Sequence, residues 1–269
     1  FETYPRYYRL GFLEGAVVAL LRRFYNRCDG IVAPSKSMIA ELREQGLRQE
    51  IGTWSRGVDR DIFHPGRRDL AWRRGLGIAD DDMAIGFLGR LVLEKGIDIF
   101  AEAVTELRER GVRAKVLVIG EGPARGFFAD KVRDACFVGF QGGADLGRAV
   151  ASMDVLLNPS VTETFGNVTL EAMACGVAVV AADATGASSL VRDGETGFLV
   201  PPRDVAAYAD KLQLYAKDAD LRRAHGAAGA RAADAYDWDA INSEVAKTYL
   251  RLIERRRTPR PQPRPDASA

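Results

Sequence analysis

Short apolar runs alternate with amphipathic segments from about residue 83 onward. Apolar runs without polar alternation are typical of parallel strands that are covered on both faces. The segments between them have the spacing of helices, and glycine or proline stands at several junctions. The pattern therefore predicts a doubly wound α/β sheet. We expect strands at 83–89, 115–120, 136–139, 155–158, 177–180 and 198–200, and helices at 95–110, after Pro123, at 144–152 and at 167–175.

The first 52 residues have a different pattern. We expect a helix at 9–27, a single strand at 29–34, and a helix that Ser35 caps and that ends at Gly46. This order indicates the end of a second α/β domain. Because the chain begins with Phe1 in what resembles mid-domain sequence, we expect an amino-terminal part to be missing.

These patterns predict five segments. The main domain begins with a short helical stretch and ends with one long helix, about 204–235. A terminal helix at about 239–254 and a proline-rich tail that is too polar to form a core follow it. The segments are a remnant of one domain at 1–52, a linker at 53–65, the main domain at 66–235, the terminal helix segment at 236–256 and a disordered tail at 257–269.

Composition narrows the class of protein further. The chain has 38 basic and 37 acidic residues, so nothing in its overall charge indicates a nucleic acid partner. Cys28, Cys136 and Cys175 are widely spaced without a metal-ligand pattern, which is typical of buried cysteines in a reducing compartment. No apolar run approaches the roughly 18 residues of a membrane span. We therefore expect a cytoplasmic protein.

Charged and small residues follow the first two predicted strands of the main domain. In open parallel sheets, ligands bind beyond the carboxyl ends of the strands. Gly89, Arg90 and Lys95 follow the first strand. The planar guanidinium of Arg90 and the ammonium of Lys95 suit a diphosphate. Alternatively, both are solvated charges on a loop, and Glu94 pairs with one of them. Gly120 follows the second strand, where an ordinary turn is the favoured interpretation.

The linker also contains a glycine with two possible roles. Gly57 lies between Arg56 and Asp59, at the expected place for a ligand between two domains. A glycine there permits close approach of a ligand to the backbone, but it is equally consistent with an ordinary turn.

Two carboxylates, Glu163 and Glu171, flank the predicted start of the 167–175 helix. We predict that Asn167 caps this helix and that the amides after Phe165 and Gly166 point toward an anion. Glu163 can accept hydrogen bonds from sugar hydroxyls. Glu171 can accept them from ribose or can simply stabilise the helix dipole. A carboxylate pair also suits a glycosidase, although nearby phosphate-binding cations favour a donor with a diphosphate leaving group.

In their order along the chain, these motifs resemble those of the retaining nucleotide-sugar glycosyltransferases of family 4, which have the two-domain GT-B architecture. The similarity covers nearly all of residues 1–254, and segments near Tyr4 and Asn26 are similar to GDP-mannose-dependent mannosyltransferases and sulfoquinovosyl-diacylglycerol synthases. The motifs that carry it are Arg56 to Asp59, Gly89-Arg90 with Lys95-Gly96, Gly120 to Pro123, Glu163 to Gly176 and Gly194 to Pro201.

The resemblance implies a Rossmann-like donor domain that transfers a hexose, with mannose favoured, from a nucleoside diphosphate sugar with retention of configuration. Arg90 and Lys95 would hold the diphosphate, Glu163 would contact the transferred sugar, and Glu171 would bind the ribose. The amides of Gly166, Asn167 and Val168 would help to bind phosphate. The acceptor is expected to be a sugar or a lipid. Apart from the donor substrate, we expect no cofactor and no metal.

The resemblance also implies parts that this sequence does not contain. The family's amino-terminal domain contributes a glycine-rich loop and a histidine, and the chain begins after the point where they would occur, so we expect an incomplete form. Alternatives are a nucleotide-sugar-binding module without catalysis, a UDP-sugar-dependent glycolipid synthase, and a phosphosugar epimerase of the same architecture.

Aromatic and basic residues near the start of the chain raise the question of a membrane contact. Tyr4, Tyr7, Tyr8, Arg22 and Arg23 can face an anionic lipid surface, which would place the protein at the inner face of the cell membrane. The other interpretation is a helix that packs on the missing domain.

Overall fold

A computed structural model describes residues 14–184 and 186–257 of the chain. Within these ranges the chain forms two parallel sheets with helices around them. The strands are β1 Ile31–Ala33, β2 Ile51–Thr53, β3 Ala84–Leu88, β4 Lys115–Ile119, β5 Cys136–Gly139, β6 Val155–Asn158, β7 Ala178–Ala182 and β8 Phe198–Val200. The helices are α1 Glu14–Tyr25, α2 Lys36–Glu44, α3 Leu70–Gly75, α4 Ile97–Glu109, α5 Arg125–Lys131, α6 Gly143–Ala151, α7 Asn167–Ala174, α8 Val205–Lys217, α9 Ala219–Ala233 and α10 Trp238–Arg257.

The larger sheet has six parallel strands in the order β5-β4-β3-β6-β7-β8. The chain moves outward from β3 to β5 on one side and then crosses back to β6 on the other side. In sheets of this kind, ligands bind in the crevice at the carboxyl ends of the strands where the order reverses. The predicted doubly wound α/β class is therefore confirmed, and the crevice lies beyond β3 and β6.

Separate apolar clusters cover the two faces of this sheet. On one face, the rings of Phe87, Phe100 and Phe128 meet edge to face with centroids 5.3 to 5.8 Å apart. On the other face, Leu170 and Met173 of α7 pack with buried residues of β6 and β7. Because both faces are covered, the central strands are apolar at nearly every position.

The smaller sheet pairs β1 with β2 in parallel and packs against α2 through Ala33, Leu42 and Leu47. The carboxyl-terminal helix α10 returns to this unit. Arg251 and Arg255 pair with Glu50. The carboxyl-terminal end of the described residues therefore packs against the smaller unit.

The two units are joined where the chain crosses between them twice. The Val58 amide donates to the Tyr236 carbonyl, with 2.9 Å between N and O. Gly57 lies against Trp238, so closely that a Cβ added to the glycine would be 2.6 Å from the indole ring. The outgoing and returning segments thus run side by side and are bonded to each other. The domain boundaries given above stay predictions.

The structure corrects two predicted elements. The first 52 residues were expected to contain one strand, but β2 lies at Ile51–Thr53 and extends into the predicted linker. The single helix predicted at about 204–235 is two helices, since Asp218 caps the second one by accepting a hydrogen bond from the Leu221 amide at 2.8 Å. A capping aspartate between two helices overrides the helix propensity of the alanine-rich sequence around it.

Some predictions fall outside the described ranges or on their borders. Tyr4, Tyr7 and Tyr8 lie outside, as does the tail from residue 258 onward. The described part of the helix predicted at 9–27 is Glu14–Tyr25. None of the helices in the described ranges is both long enough and apolar enough to cross a membrane.

Candidate functional site

Lys95 and Glu163 form an ion pair at the carboxyl ends of β3 and β6, with 2.6 Å between Nζ and Oε1. Lys95 ends the 3₁₀ turn Leu93–Lys95 after β3, and Glu163 lies in the loop between β6 and α7. Their side chains are only 28% and 16% exposed. Partial burial strengthens the pair relative to one on the open surface. The fold thus brings together two predicted site residues, at the crevice that the strand order defines.

Arg90 lies on the same loop as Lys95 but has a different partner. Its guanidinium pairs with Glu94, with 3.0 Å between Nη2 and Oε1, and its side chain is largely exposed. This is the pairing that the solvated-loop interpretation expected. An exposed guanidinium keeps further N–H donors on its fork that a diphosphate can use.

Gly89 and Gly120 lie side by side at the ends of β3 and β4. A Cβ on Gly120 would be 1.9 Å from the Gly89 carbonyl oxygen, and the φ of Gly120 is 132°, which favours glycine. Gly122 approaches the backbone of Leu91 in the same way. Packing between two loops is therefore sufficient to explain Gly120 and Gly122, in agreement with the turn interpretation.

The start of α7 differs from the prediction. Asn167 is the first helical residue, and the cap position belongs to Gly166, which has a φ of 96°. As a glycine, the cap residue has no side chain that could accept a hydrogen bond from the first turn. The amides of the first turn therefore have no acceptor within the helix, and they carry the positive end of its dipole. Such an end suits an anionic group better than a side-chain-capped one.

Phe165 is not available to a ligand through its side chain. The ring is buried, and it packs edge to face against Tyr236 with 5.8 Å between centroids. The predicted role of Phe165 in donor binding can therefore involve only its backbone. Its ring anchors the turn that leads into α7, because it is fixed to the segment that returns from α9 toward α10.

Glu171 lines a small cleft together with Arg56, Gly57, Asp59 and Trp238. Burial, and secondly the negative charge of Glu163, raises the pKa of Glu171 from 4.5 to about 7. Near neutral pH this carboxyl can therefore donate a hydrogen bond as well as accept one. The motif Arg56 to Asp59 and the α7 carboxylate meet here. Trp238 was missed, and its only signal in the sequence is an aromatic residue at the start of the terminal helix.

The loop that carries Glu163 is anchored on both sides of that residue. The Thr162 hydroxyl donates to the Glu94 carbonyl at 3.3 Å, and the Ser35 hydroxyl donates to the Thr164 carbonyl at 3.1 Å. Gly186 packs behind Glu163, so that a Cβ on the glycine would be 2.5 Å from the Glu163 Cβ. None of these contacts was predicted, because each joins segments far apart in the sequence.

The described residues do not include a group of three or more His, Cys, Asp or Glu side chains arranged to hold a metal ion. The expectation that donor binding needs no metal stays a prediction. Cationic side chains and helix amides are the groups at this site that can neutralise a diphosphate.

Two family models match this chain. Residues 82–218 match the family described as Glycosyl transferases group 1, and residues 1–62 match Glycosyltransferase Family 4. The chain therefore belongs to the group 1 glycosyltransferases, and the family resemblance inferred from its motifs is confirmed.

Relatives and solved structures agree with this assignment. The chain is 31% identical to a GDP-mannose-dependent alpha-mannosyltransferase of Corynebacterium glutamicum, over 91% of this chain and 58% of that protein. It is 30% identical to the sulfoquinovosyl transferase SQD2 of Arabidopsis thaliana, over 90% of this chain and 48% of that protein. The sucrose-phosphate synthase structure from Thermosynechococcus elongatus superposes with a TM-score of 0.77 at 25% identity, covering 88% of this chain and 61% of that one. The chain thus spans about half of the length of the curated relatives that it matches.

Proposed function

We propose that this chain provides the donor site of a glycosyltransferase that moves a hexose from a nucleoside diphosphate sugar to an acceptor. The observation that carries the proposal is the Lys95–Glu163 pair, which lies at the crevice beyond β3 and β6, in the loops that lead to α4 and α7. A cation for the diphosphate, amides for a phosphate and a carboxylate for sugar hydroxyls are the groups that such a donor requires.

The ion pair gives each partner a defined part in the reaction. Before the donor binds, Glu163 neutralises Lys95 and holds its ammonium at the crevice. With the donor bound, Lys95 donates to the diphosphate and Glu163 accepts from the sugar hydroxyls. As the bond between the sugar and the diphosphate breaks, negative charge grows on the leaving group, where Lys95 and Arg90 stabilise it.

The remaining predicted residues have supporting roles. Glu171 binds the ribose, and the backbone amides of Gly166, Asn167 and Val168 bind phosphate. Gly57, Gly89 and Gly120 allow the loops around the donor to approach one another closely. We further propose transfer with retention and GDP-mannose as the donor, which the similarity to the mannosyltransferase of Corynebacterium glutamicum supports.

Nucleotide binding followed by turnover tests the proposal. Calorimetry with GDP, UDP and ADP should detect binding, tightest for GDP, and GDP-mannose should be consumed only with an acceptor. Lys95→Met and Glu163→Gln should each lower turnover by about 10²-fold, by analogy with the loss of an oxyanion donor. Lys247→Met is the matched control, because Lys247 forms an exposed ion pair with Glu244 on α10.

Each alternative has its own outcome in these assays. Near-normal turnover of the Lys95 and Glu163 variants would refute the site assignment. In the full-length protein, nucleotide binding without turnover would indicate a binding module, and consumption of the donor without an acceptor would indicate an epimerase. Tightest binding of UDP would favour a glycolipid synthase, in keeping with the similarity to SQD2.

We also propose a peripheral membrane contact through α1, which would suit a lipid acceptor. Leu20 and Phe24 are more than half exposed on this helix, and Arg22 and Arg23 lie in its last turn. An apolar strip beside basic residues suits an anionic bilayer surface. Co-sedimentation with anionic liposomes should fall when Leu20 and Phe24 are both replaced by serine. Equal co-sedimentation, or none by the parent chain, would exclude this contact.

A further inference from the structure

We propose that Ser35 is a positioning residue for Glu163, and that it acts across the boundary between the two sheets of the molecule. The inference rests on the proposed function, in which Glu163 contacts the donor sugar. Ser35 is not a member of the Lys95–Glu163 ion pair. Its hydroxyl holds the backbone of the residue that follows Glu163.

Ser35 uses its single hydroxyl twice. As the cap of α2, its oxygen accepts a hydrogen bond from the Met38 amide at 3.2 Å. Its proton goes to the Thr164 carbonyl at 3.1 Å, across 129 positions of sequence. The residue is only 3% exposed, so water does not easily replace either bond.

Two further serine hydroxyls continue from that of Ser35 and form a row of three with it. The Ser35 and Ser37 oxygens are 3.0 Å apart, and those of Ser37 and Ser189 are 2.8 Å apart. A hydroxyl has one proton, and that of Ser35 is used on Thr164. Ser37 is therefore the donor of the bond that it shares with Ser35, whereas either hydroxyl can be the donor between Ser37 and Ser189.

Both ends of this row of hydroxyls lie next to segments that contact Glu163. At one end, Ser35 holds the carbonyl of Thr164. At the other end, Ser189 belongs to the 3₁₀ turn Ala187–Ser189, and the neighbouring Gly186 packs against the Glu163 Cβ. The start of α2 thus bonds to the Glu163 loop through Ser35 and to the Ala187–Ser189 turn through Ser37.

The opposite side of Glu163 is fixed by the larger unit. Thr162 donates to the carbonyl of Glu94, in the 3₁₀ turn that also contains Lys95. The residue before Glu163 is therefore bonded to the turn that contains Lys95, and the residue after it is bonded to Ser35. Without Ser35, the Thr164 side loses its hydrogen-bond donor, and the carboxylate can move away from the productive position relative to Lys95.

Three substitutions separate the donated bond from the cap. Ser35→Thr keeps both bonds. Ser35→Asp keeps a strong capping oxygen but, when ionised, has no proton to donate to Thr164. Ser35→Ala removes both bonds without adding charge. If the donated bond matters, Asp and Ala should behave alike at the Glu163 loop, although Ala should be the less stable of the two at α2.

Amide hydrogen exchange measured by mass spectrometry on the full chain tests the contact without any ligand. The peptide that covers 160–166 should exchange about tenfold faster in the Asp and Ala variants than in the parent, and at the parent rate in the Thr variant. A tenfold change corresponds to about 1.4 kcal/mol, which is within the range for one buried hydrogen bond. Exchange that is equal in the parent and the Ala variant would overturn the proposal.

Turnover of GDP-mannose tests the consequence for the site. We expect kcat to fall about tenfold in the Asp and Ala variants with KM changed less than about threefold, because the cations that bind the diphosphate are untouched. Ser35→Thr should restore kcat. A loss in Asp alone would indicate charge rather than positioning. If no nucleotide binds to the parent chain, the proposed function fails, and the exchange rates still decide whether Ser35 holds the loop.

Discussion

The raised pKa of Glu171 leads to a specific prediction about stability and pH. The folded state holds this carboxyl in its neutral form up to about pH 7, whereas in the unfolded chain it ionises near 4.5. Between these values the folded state therefore binds more protons than the unfolded state. Stability falls as pH rises wherever the folded state binds the extra proton. This contribution is fully present below the unfolded pKa and is lost as pH rises through the folded pKa.

The size of the effect follows from the two pKa values. Each tenfold change in proton affinity corresponds to about 1.4 kcal/mol, so a rise from 4.5 to about 7 corresponds to about 3 kcal/mol. Because Glu171 borders an open cleft, water offsets part of this cost, and we expect about 2 kcal/mol in the measurement. Relative to a neutral residue at the same position, Glu171 should therefore destabilise the fold near pH 8 and not near pH 5.

Urea unfolding of the parent and of Glu171→Gln measures this difference. Glutamine is close in shape and has no charge, so the gain in unfolding free energy on substitution should grow by about 2 kcal/mol between about pH 5 and about pH 8. Glu102→Gln, on the exposed face of α4, is the matched control. A gain of the same size at both pH values would refute the reasoning.

The second cause of the raised pKa provides an internal check. Since the charge of Glu163 adds to the effect of burial, the Glu163→Gln background should reduce the pH dependence that Glu171 contributes. If ribose hydroxyls donate to Glu171, they favour its ionised form, and nucleotide binding below about pH 7 should release protons. Calorimetry in buffers of different ionisation enthalpy detects that release.

Two further predictions concern the scaffold, and urea unfolding at fixed pH checks both. Gly120→Ala should cost about 3 kcal/mol or more, because its Cβ would overlap the Gly89 carbonyl and its φ is positive; Gly126→Ala, in open space on α5, should be neutral or stabilising. Asp218→Ala should cost about 1 kcal/mol through loss of the α9 cap, whereas Asp218→Asn should cost little. A neutral Gly120→Ala or an equal loss in both Asp218 variants would contradict these explanations.

The sheet was predictable from the sequence because its strands are short apolar runs, and those in its centre are buried on both faces. The strands at 136–139, 155–158 and 198–200 have the predicted bounds, because each is a short apolar run with a turn at its end. Burial explains the apolar run at 155–158, whereas the edge strand at 136–139 is only half-buried. By contrast, β2 has three residues, of which none is buried, and it pairs with a strand 20 positions earlier, at Ile31. Nothing in so short a segment distinguishes a strand from a linker without that partner.

The site was predictable as a set of residues but not as an arrangement. Glu163 and Lys95 were recognised by motif, yet their ion pair depends on β3 and β6 being neighbours, which the order of strands along the chain does not reveal. Phe165 was assigned to the donor because it lies in the motif, while its ring packs on Tyr236, which is 71 positions away. Contacts of this range are set by topology and not by local spacing.

The doubled crossing at Gly57 and Trp238 limits how the two units can move relative to each other. A single flexible connection would permit rotation about any axis. Two adjacent segments joined by the hydrogen bond from Val58 to Tyr236 instead restrict the rotation to a single hinge axis. Such an axis passes beside the cleft of Glu171, so an opening large enough to admit a nucleotide at the sheet edge would displace that carboxyl very little. The ribose end of the crevice would then act as a fixed pivot, and an opening at the Glu163 end would have to break the hydrogen bond from Ser35 to Thr164.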